Sequence, residues 1–498
     1  MKIKDIMCKS ILGVFAFIIL WIVLQGILDF DTIIYNFNPI ILTIGIVIYF
    51  FLIRLIYNKL LPKIENKKVL PFVLIGIFAI ICIIIAQIFK VNPSWDMGEV
   101  YKIAVNIAET ENPDLLYLYK FPNNVGVTGV YTIIFGISNA IGITDYVNVA
   151  TIFNSIIVIA CVILMYLIVR KLYGNKKALM ILIISIFTTP LYLYAAIYYS
   201  DTLSILFMLL TAYIFIRIKE TNPNNKMLKI FGYIFLTLVI FVGMQIKITT
   251  FFIVIAYIVY KILNGKIKEL EKPLLVFVPT FIIIYIIYSL ILNNIILPQK
   301  DVSNQVKLPT EQWIAMGLQG VGGYNQEEFD YMNQIPTYEE KQKMAREQIK
   351  QILSEYDANS FIKHLTEKLK YAWTDGTYFA PEKLRREPVN NTILHEFVLA
   401  NGKYSSYYKY LPQVMHLSML IFILIGACKT IKEKEYEDTN VIFYILMLGF
   451  IAFFLIWENR SRYILTCVPF LMIAQLKGIE IFTKYKSRKE EVSWKKYH

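Results

Sequence analysis

Cysteine and histidine are scarce, at five and four residues in a chain of 498. Cys8, Cys82, Cys161, Cys428 and Cys467 form no CxxC pair, and four of them lie inside apolar segments. That spacing excludes a disulfide framework or a thiolate metal site and leaves them as packing residues. No two histidines stand at i,i+4, so a helical zinc site is excluded too. The sequence has no internal repeat and no low-complexity tract. The first apolar run, 10–30, is too long for the core of a cleavable leader and has no small-residue cleavage site, so it is expected to persist as a span. Charge is absent over repeated stretches of about 20 residues, the length that crosses roughly 30 Å of hydrocarbon.

What is present is hydrophobic surface, 57% of the residues, on a chain with net charge +13. The positive charge does not indicate nucleic acid, because the lysines and arginines sit in short loops between apolar segments, where they orient spans and touch anionic lipid. The apolar segments fall near 10–30, 38–57, 69–89, 149–169, 178–199, 202–217, 229–246, 248–263, 273–295, 411–428, 440–457 and 463–481. If these alternate, the basic loops ("NKLLPKIENKK", "RKLYGNKK", "RIKETNPNNKMLK", "KILNGKIKELEK", "KTIKEKE" and the tail "KYKSRKEEVSWKK") share one face. The positive-inside rule makes that face cytoplasmic, with both termini on it. The apolar stretch 125–143 is left over. Counted as a crossing it would invert everything after it, so it is expected to be re-entrant or a short packed helix.

The opposite face then carries 90–148, the turn "YYSDT", the turn "QIK", a loop of 296–410 and "WENRSR". A loop that long is too large for a connector. It reads as an ordered segment with glycines, Trp313, Tyr324 and Tyr331, then helices at "YEEKQKMAREQIKQIL" and "SFIKHLTEKLKYAW". No cytoplasmic segment is long enough for a Rossmann-type nucleotide-sugar unit.

Acids gather on that outer face. "NPSWDMGEVYKIAVNIAE" places Asp96 and Glu99 at the start of an amphipathic pattern, Val100, Ile103, Ala104, Ile107 and Ala108, that predicts a surface helix. Asp96 lies at the positive end of that helix, where a carboxylate can also serve merely as a cap. Asp201, in "IYYSDTLSI", and Glu458, in "WENRSRYILTCVP" beside Arg460 and Arg462, sit at membrane boundaries, where acids are costly unless partnered or working. Lys247 interrupts an otherwise apolar run. Each residue has a structural reading: Lys247 snorkels, Glu458 pairs with Arg462, Asp201 caps a helix. Together they suggest a site that takes a proton from an acceptor and grips a phosphate.

At these residues the sequence resembles the GT-C superfamily of membrane glycosyltransferases, in particular bacterial relatives of protein O-mannosyltransferases and of the aminoarabinose transferase of lipid A. "SWDMGEVYKIA" is similar to the acidic motif of the first outer loop, and "KFPNNVGVTGVYTIIFGI" to the Pro-containing segment after it. "YYSDTLSILFMLL" resembles the second acidic turn, "ENRSRYILTCVPFLMIA" the ending of the last spans, and "WIAMGLQGVGGYNQEE" the outer loop of Gram-positive members. Two extra spans precede the usual first one, and the usual acidic doublet is spread to Asp96 and Glu99.

The resemblance implies an all-α polytopic bundle of about 12–13 spans: two extra N-terminal helices in 1–68, a core in 69–295 with its first outer loop at 90–124, a loop domain in 296–410, C-terminal spans in 411–481 and a basic tail in 482–498. It implies transfer of a sugar from a polyprenyl-phosphate carrier to an acceptor outside the cytoplasm. Asp96 would be the base, and Asp201 a second acid orienting the acceptor or the Asp96 loop. Lys247 and Arg462, with Arg460, would hold the phosphate. Glu458 would hold Arg462 or touch the sugar, Glu99 would support, and Tyr101, Trp313, Tyr324 and Asn325 would contact acceptor or sugar. No cofactor is required, although Asp96, Asp201 and Glu458 could ligate a divalent cation. Two alternatives stay open. One is a flippase or transporter, which would place polar residues at mid-membrane on broken helices. The other is a polymerase or ligase relying on Arg385 and Arg386.

Overall fold

A computed structural model describes the backbone of residues 2–28, 31–32 and 35–497 and the side chains of 4–28 and 35–484. The chain is helical almost throughout; among the described residues the only strand pair joins Asp31–Thr32 to Tyr35–Asn36. Nine described helices are long and apolar enough to cross a membrane: Lys4–Leu28, Pro39–Ile64, Leu70–Ile88, Tyr146–Tyr173, Ser200–Glu220, Lys226–Ile246, Ile267–Ile296, Ser405–Glu433 and Ser461–Lys484. Length and composition alone single out these nine, or ten if the bent pair Asn175–Phe187 and Thr189–Ala195 is one span, against the expected 12–13. Ile248–Leu263 and Asn440–Ile456 are shorter apolar helices at the lower edge of the crossing length. The pair bends by 64° at Thr188, whose hydroxyl donates to the Ile184 carbonyl at 2.9 Å while Pro190 opens the next helix. The basic tail continues as helical backbone to Tyr497, and its side chains beyond 484 lie outside the described residues.

The spans divide into an inner and an outer set. In Ser461–Lys484 and Ser405–Glu433, 89% and 67% of the apolar window is buried, against 0% in Ile267–Ile296. Apolar side chains facing hydrocarbon lose nothing by staying exposed, so close packing rather than hydrophobic burial selects the helix contacts. The central pair meets at a small residue: a Cβ on Gly478 would lie 1.8 Å from the Phe422 carbonyl oxygen, so only glycine fits there.

The leftover stretch 125–143 forms the 16-residue helix Val125–Ala140. It packs through Val127, Tyr131 and Phe135 against the helix Trp95–Ala108, as expected for a short packed helix. The helix Trp95–Ala108 buries Met97, Val100, Ile103 and Ala104, so the predicted apolar stripe faces a protein neighbour, while Ile107 turns outward.

Between the spans Ile267–Ile296 and Ser405–Glu433 the chain forms short helices, among them Tyr338–Glu355 and Ala358–Trp373, which coincide with the two predicted helical stretches. This segment is clasped to the break at 457–460. Glu458 N–H donates to Trp313 O at 3.0 Å, Asn459 N–H to Gly322 O at 2.6 Å, and Asn459 Nδ2 to Lys368 O at 2.8 Å. Lys368, fully buried, reaches the carbonyls of Gly317 and Trp457. Gly317 must be small, since a Cβ there would meet the Ile456 carbonyl oxygen at 2.4 Å.

Candidate active site

Asp96 does not cap its helix. The cap position belongs to Ser94, which makes no side-chain bond, and Asp96 follows Trp95, held at φ 47°. A bulky side chain in left-handed backbone is costly, and such strain concentrates at functional sites. The Asp96 carboxylate lies close enough to the Tyr117 hydroxyl to influence it electrostatically. Asn124 Nδ2 donates to that hydroxyl at 2.6 Å, and Tyr199 Oη donates to Asn124 Oδ1 at 2.8 Å. Burial, with Tyr199 and Asp96 close by, holds the Tyr117 hydroxyl well above the usual phenol range, so it stays a donor. A protonated phenol, itself fixed by the Asn124 amide, thus stands beside the acid.

Asp201 takes a different place from the one expected. It is 1% exposed at the start of Ser200–Glu220 and accepts from Lys247 Nζ at 2.8 Å, with Arg462 Nε 3.8 Å away. Lys247 reaches it because the helix Lys226–Ile246 breaks there into extended backbone, φ −162° and ψ 120°. The turn before Asp201 is pinned by Asn154, whose amide donates to the carbonyls of Tyr194, Ala195 and Ile197 at 2.8 to 3.0 Å. A buried acid of this kind must be paired. Lys247 and Asp201 thus neutralise one another, with Arg462 beside them.

The cations at this end converge on the indole of Trp95. Lys383 Nζ lies 3.6 Å from the ring centroid, and the guanidinium carbons of Arg462 and Arg386 lie 5.0 and 6.0 Å away. The guanidinium carbon of Arg460 stacks on Phe379 at 4.7 Å. Buried N–H groups of Arg460 (Nε) and of Arg462 (Nε and Nη1) have no hydrogen-bond partner. Lys383 is 6% exposed, and its amine is pushed down to about 5 by burial and by Arg462, Arg386 and Arg460. Burial also lowers Arg386, whose charge faces Asp96 as well. Guanidiniums crowded together with N–H donors unmet have the chemistry to bind an anion.

Lys383 and Arg386 arrive from far along the chain. Val91 bridges to Pro388, Asn92 N–H donates to Glu387 O at 2.8 Å, and Val389 N–H donates to Lys90 O at 2.9 Å. Upstream, Asp375 holds the turn, accepting from Thr377 N–H and Oγ1, from Phe379 N–H and from Ser461 Oγ at 2.6 to 2.9 Å. Tyr378 and Phe379 adopt positive φ values of 51° and 64° in that turn. None of this is legible from the loop's composition. The available signals were Asn124 and Tyr199, both inside quoted motifs, and Arg386, expected only for a polymerase or ligase.

Other predicted residues scatter. Glu458 is 5% exposed, accepts from Tyr463 Oη at 2.8 and 3.0 Å, and is raised by burial; the nearest acid to Arg462 is Asp201, so the expected Glu458–Arg462 pair is replaced. Glu99 is exposed. The Tyr101 ring packs on Phe135 and Tyr198, with its hydroxyl toward Asp145 and Glu109, away from Asp96. Asn325 caps the helix Gln326–Gln334, accepting from Glu327 and Glu328 N–H, so its side chain is committed. Trp313 packs near Phe121 at 6.5 Å. Tyr324 is part exposed and close enough to feel the charges of Asp96 and Glu458. Arg385 pairs with Glu382 at 2.7 Å at the surface. Among the described residues no three of histidine, cysteine, aspartate and glutamate are arranged to hold a metal ion.

No curated protein and no solved structure matches the chain. Residues 7–480 match a family of integral membrane proteins, and with that match over nearly its whole length the chain belongs to the family described as "conserved hypothetical integral membrane protein".

Proposed function

We propose that the protein is an inverting glycosyltransferase of GT-C type that moves a sugar from a polyprenyl-phosphate carrier to an acceptor at the extracytoplasmic face of the cell membrane. The observation that carries this reading is the pairing of one carboxylate, Asp96, with a cluster of anion-seeking cations around Trp95. Asp96 takes the acceptor hydroxyl proton as the oxygen attacks the anomeric carbon. The bond from that carbon to the carrier phosphate breaks, and the phosphate leaves with the electron pair. Arg462, Arg386 and Arg460 stabilise the departing anion in a poorly solvated place, where fixed charges act more strongly than in water, and the Lys383 amine, largely neutral before the anion arrives, adds a hydrogen-bond donor. Lys247 and Asp201 set the position of Arg462. Tyr324, part exposed beside the acid, is the aromatic best placed for a sugar ring. The basic loops support a cytoplasmic placement of both termini.

Arg386 in the cluster gives a polymerase or ligase reading an observation of its own, and the two separate on Asp96. The test is transfer from a radiolabelled polyprenyl-phosphate sugar by the purified protein with a cell-envelope extract, wild type beside Asp96→Asn. Loss of transfer in the folded variant supports the glycosyltransferase. Transfer that persists removes Asp96 as the base and favours the polymerase or ligase.

A further inference from the structure

At the other end of the bundle the helices Ser200–Glu220, Lys226–Ile246, Phe252–Leu263 and Glu271–Ile291 enclose a cavity of about 450 Å³. Its walls are apolar, with Leu236, Ile240, Val254, Leu270 and Phe277 among them. Glu271–Ile291 buries none of its own residues. It closes on Lys226–Ile246 toward the Asp96 end, where Phe241 meets Phe281 and Tyr288 at 5.5 Å, while in its first turns Leu274 and Phe277 face the cavity. A void this large within apolar walls forfeits dispersion contacts on every side and offers water almost nothing to bond. A hydrocarbon chain would supply those contacts.

The mouth is basic. Lys171, Lys219 and Lys261 line it. Lys171 pairs with Glu220 at 2.9 Å and Lys261 with Glu269, but no carboxylate lies within ion-pair distance of Lys219 among the described residues. Its ammonium rests instead over the rings of Phe215 and Tyr257, at 4.8 and 5.0 Å, with Lys261 nearby. An apolar chamber that opens beside an unpaired ammonium at membrane-surface depth matches an amphiphile with an acidic head.

We propose that this cavity is a binding site for an anionic phospholipid, with an acyl chain between the four helices and the phosphate on Lys219. The site is separate from the Asp96 cluster, and its occupancy does not depend on the reaction assigned there.

The test is native mass spectrometry of the full chain released from nanodiscs of equal palmitoyl-oleoyl phosphatidylglycerol and phosphatidylcholine. Wild type is expected to retain phosphatidylglycerol in preference, and Lys219→Gln to lose about fivefold of that preference, the contribution of one lysine near an anionic headgroup. Lys219→Arg should keep it. Ala212→Trp, which fills the chamber without changing charge, should retain neither lipid while eluting as a single species. Equal retention of both lipids by wild type, an unchanged preference in Lys219→Gln, or full retention by a folded Ala212→Trp would each overturn the proposal.

Discussion

Lys383→Met should make the protein more stable and less able to hold an anion. The buried amine has its proton affinity pushed from the ordinary 10.5 down to about 5 by burial and by the three guanidiniums. Between those values the unfolded chain binds a proton that the folded chain does not, so wild-type stability rises with pH across the window. At pH 7 the lysine's burial costs at most about 5 kcal/mol, falling to about 3 kcal/mol at pH 8.5. Loss of its packing on Trp95 offsets part of this, so the net gain for methionine is ~3 kcal/mol near neutral pH and shrinks as pH rises. The assay is thermal unfolding of detergent-solubilised protein, followed by tryptophan fluorescence from pH 6.5 to 8.5 without added anion. A variant that melts below wild type at every pH, or whose advantage does not narrow with pH, refutes the reasoning. A bound anion should narrow the gap, because wild type gains more from it than the variant.

Asp201→Asn strands Lys247 and Arg462 in a buried place and should cost about 3–5 kcal/mol. Asp201→Asn with Lys247→Met should recover part of that loss, and additive effects in the double-mutant cycle would show that the pair is not coupled. Tyr117→Phe removes the phenol hydroxyl beside Asp96 and should slow transfer roughly tenfold with unchanged melting, the rate equivalent of ~1.4 kcal/mol. Unchanged turnover would detach that phenol from the acid. Gly478→Val should abolish the folded protein on size-exclusion chromatography, since even a Cβ overlaps the Phe422 carbonyl.

Much of this was legible in advance for one physical reason: a bilayer demands long uncharged helices, and that demand writes itself into contiguous sequence. The helices through 10–30, 38–57 and 69–89 follow from it, as does the apolar stripe after Asp96. The segments that length alone does not settle are the bent pair at 175–195 and the shorter apolar helices at 248–263 and 440–456. Side-chain partners were hidden in a comparable way. Lys247 looked free because its acid lies 46 positions away, in another helix. Asn325 looked like a contact residue, whereas its side chain is consumed by a local cap, a role that any asparagine before a helix can take.

The sequence by itself determined that this is a helical integral membrane protein with acids and cations gathered at the ends of its spans. Only the tertiary structure decided which of those charges neutralise one another and which stay unmet. It set Asp201 on Lys247, left Arg462 and Arg460 with donors unpaired, and brought Lys383 and Arg386 to the Trp95 ring through a bridge between Val91 and Pro388. The reason is that helix formation answers to neighbours three or four residues away, whereas the electrostatics of a buried site answer to whatever the fold places within a few ångströms.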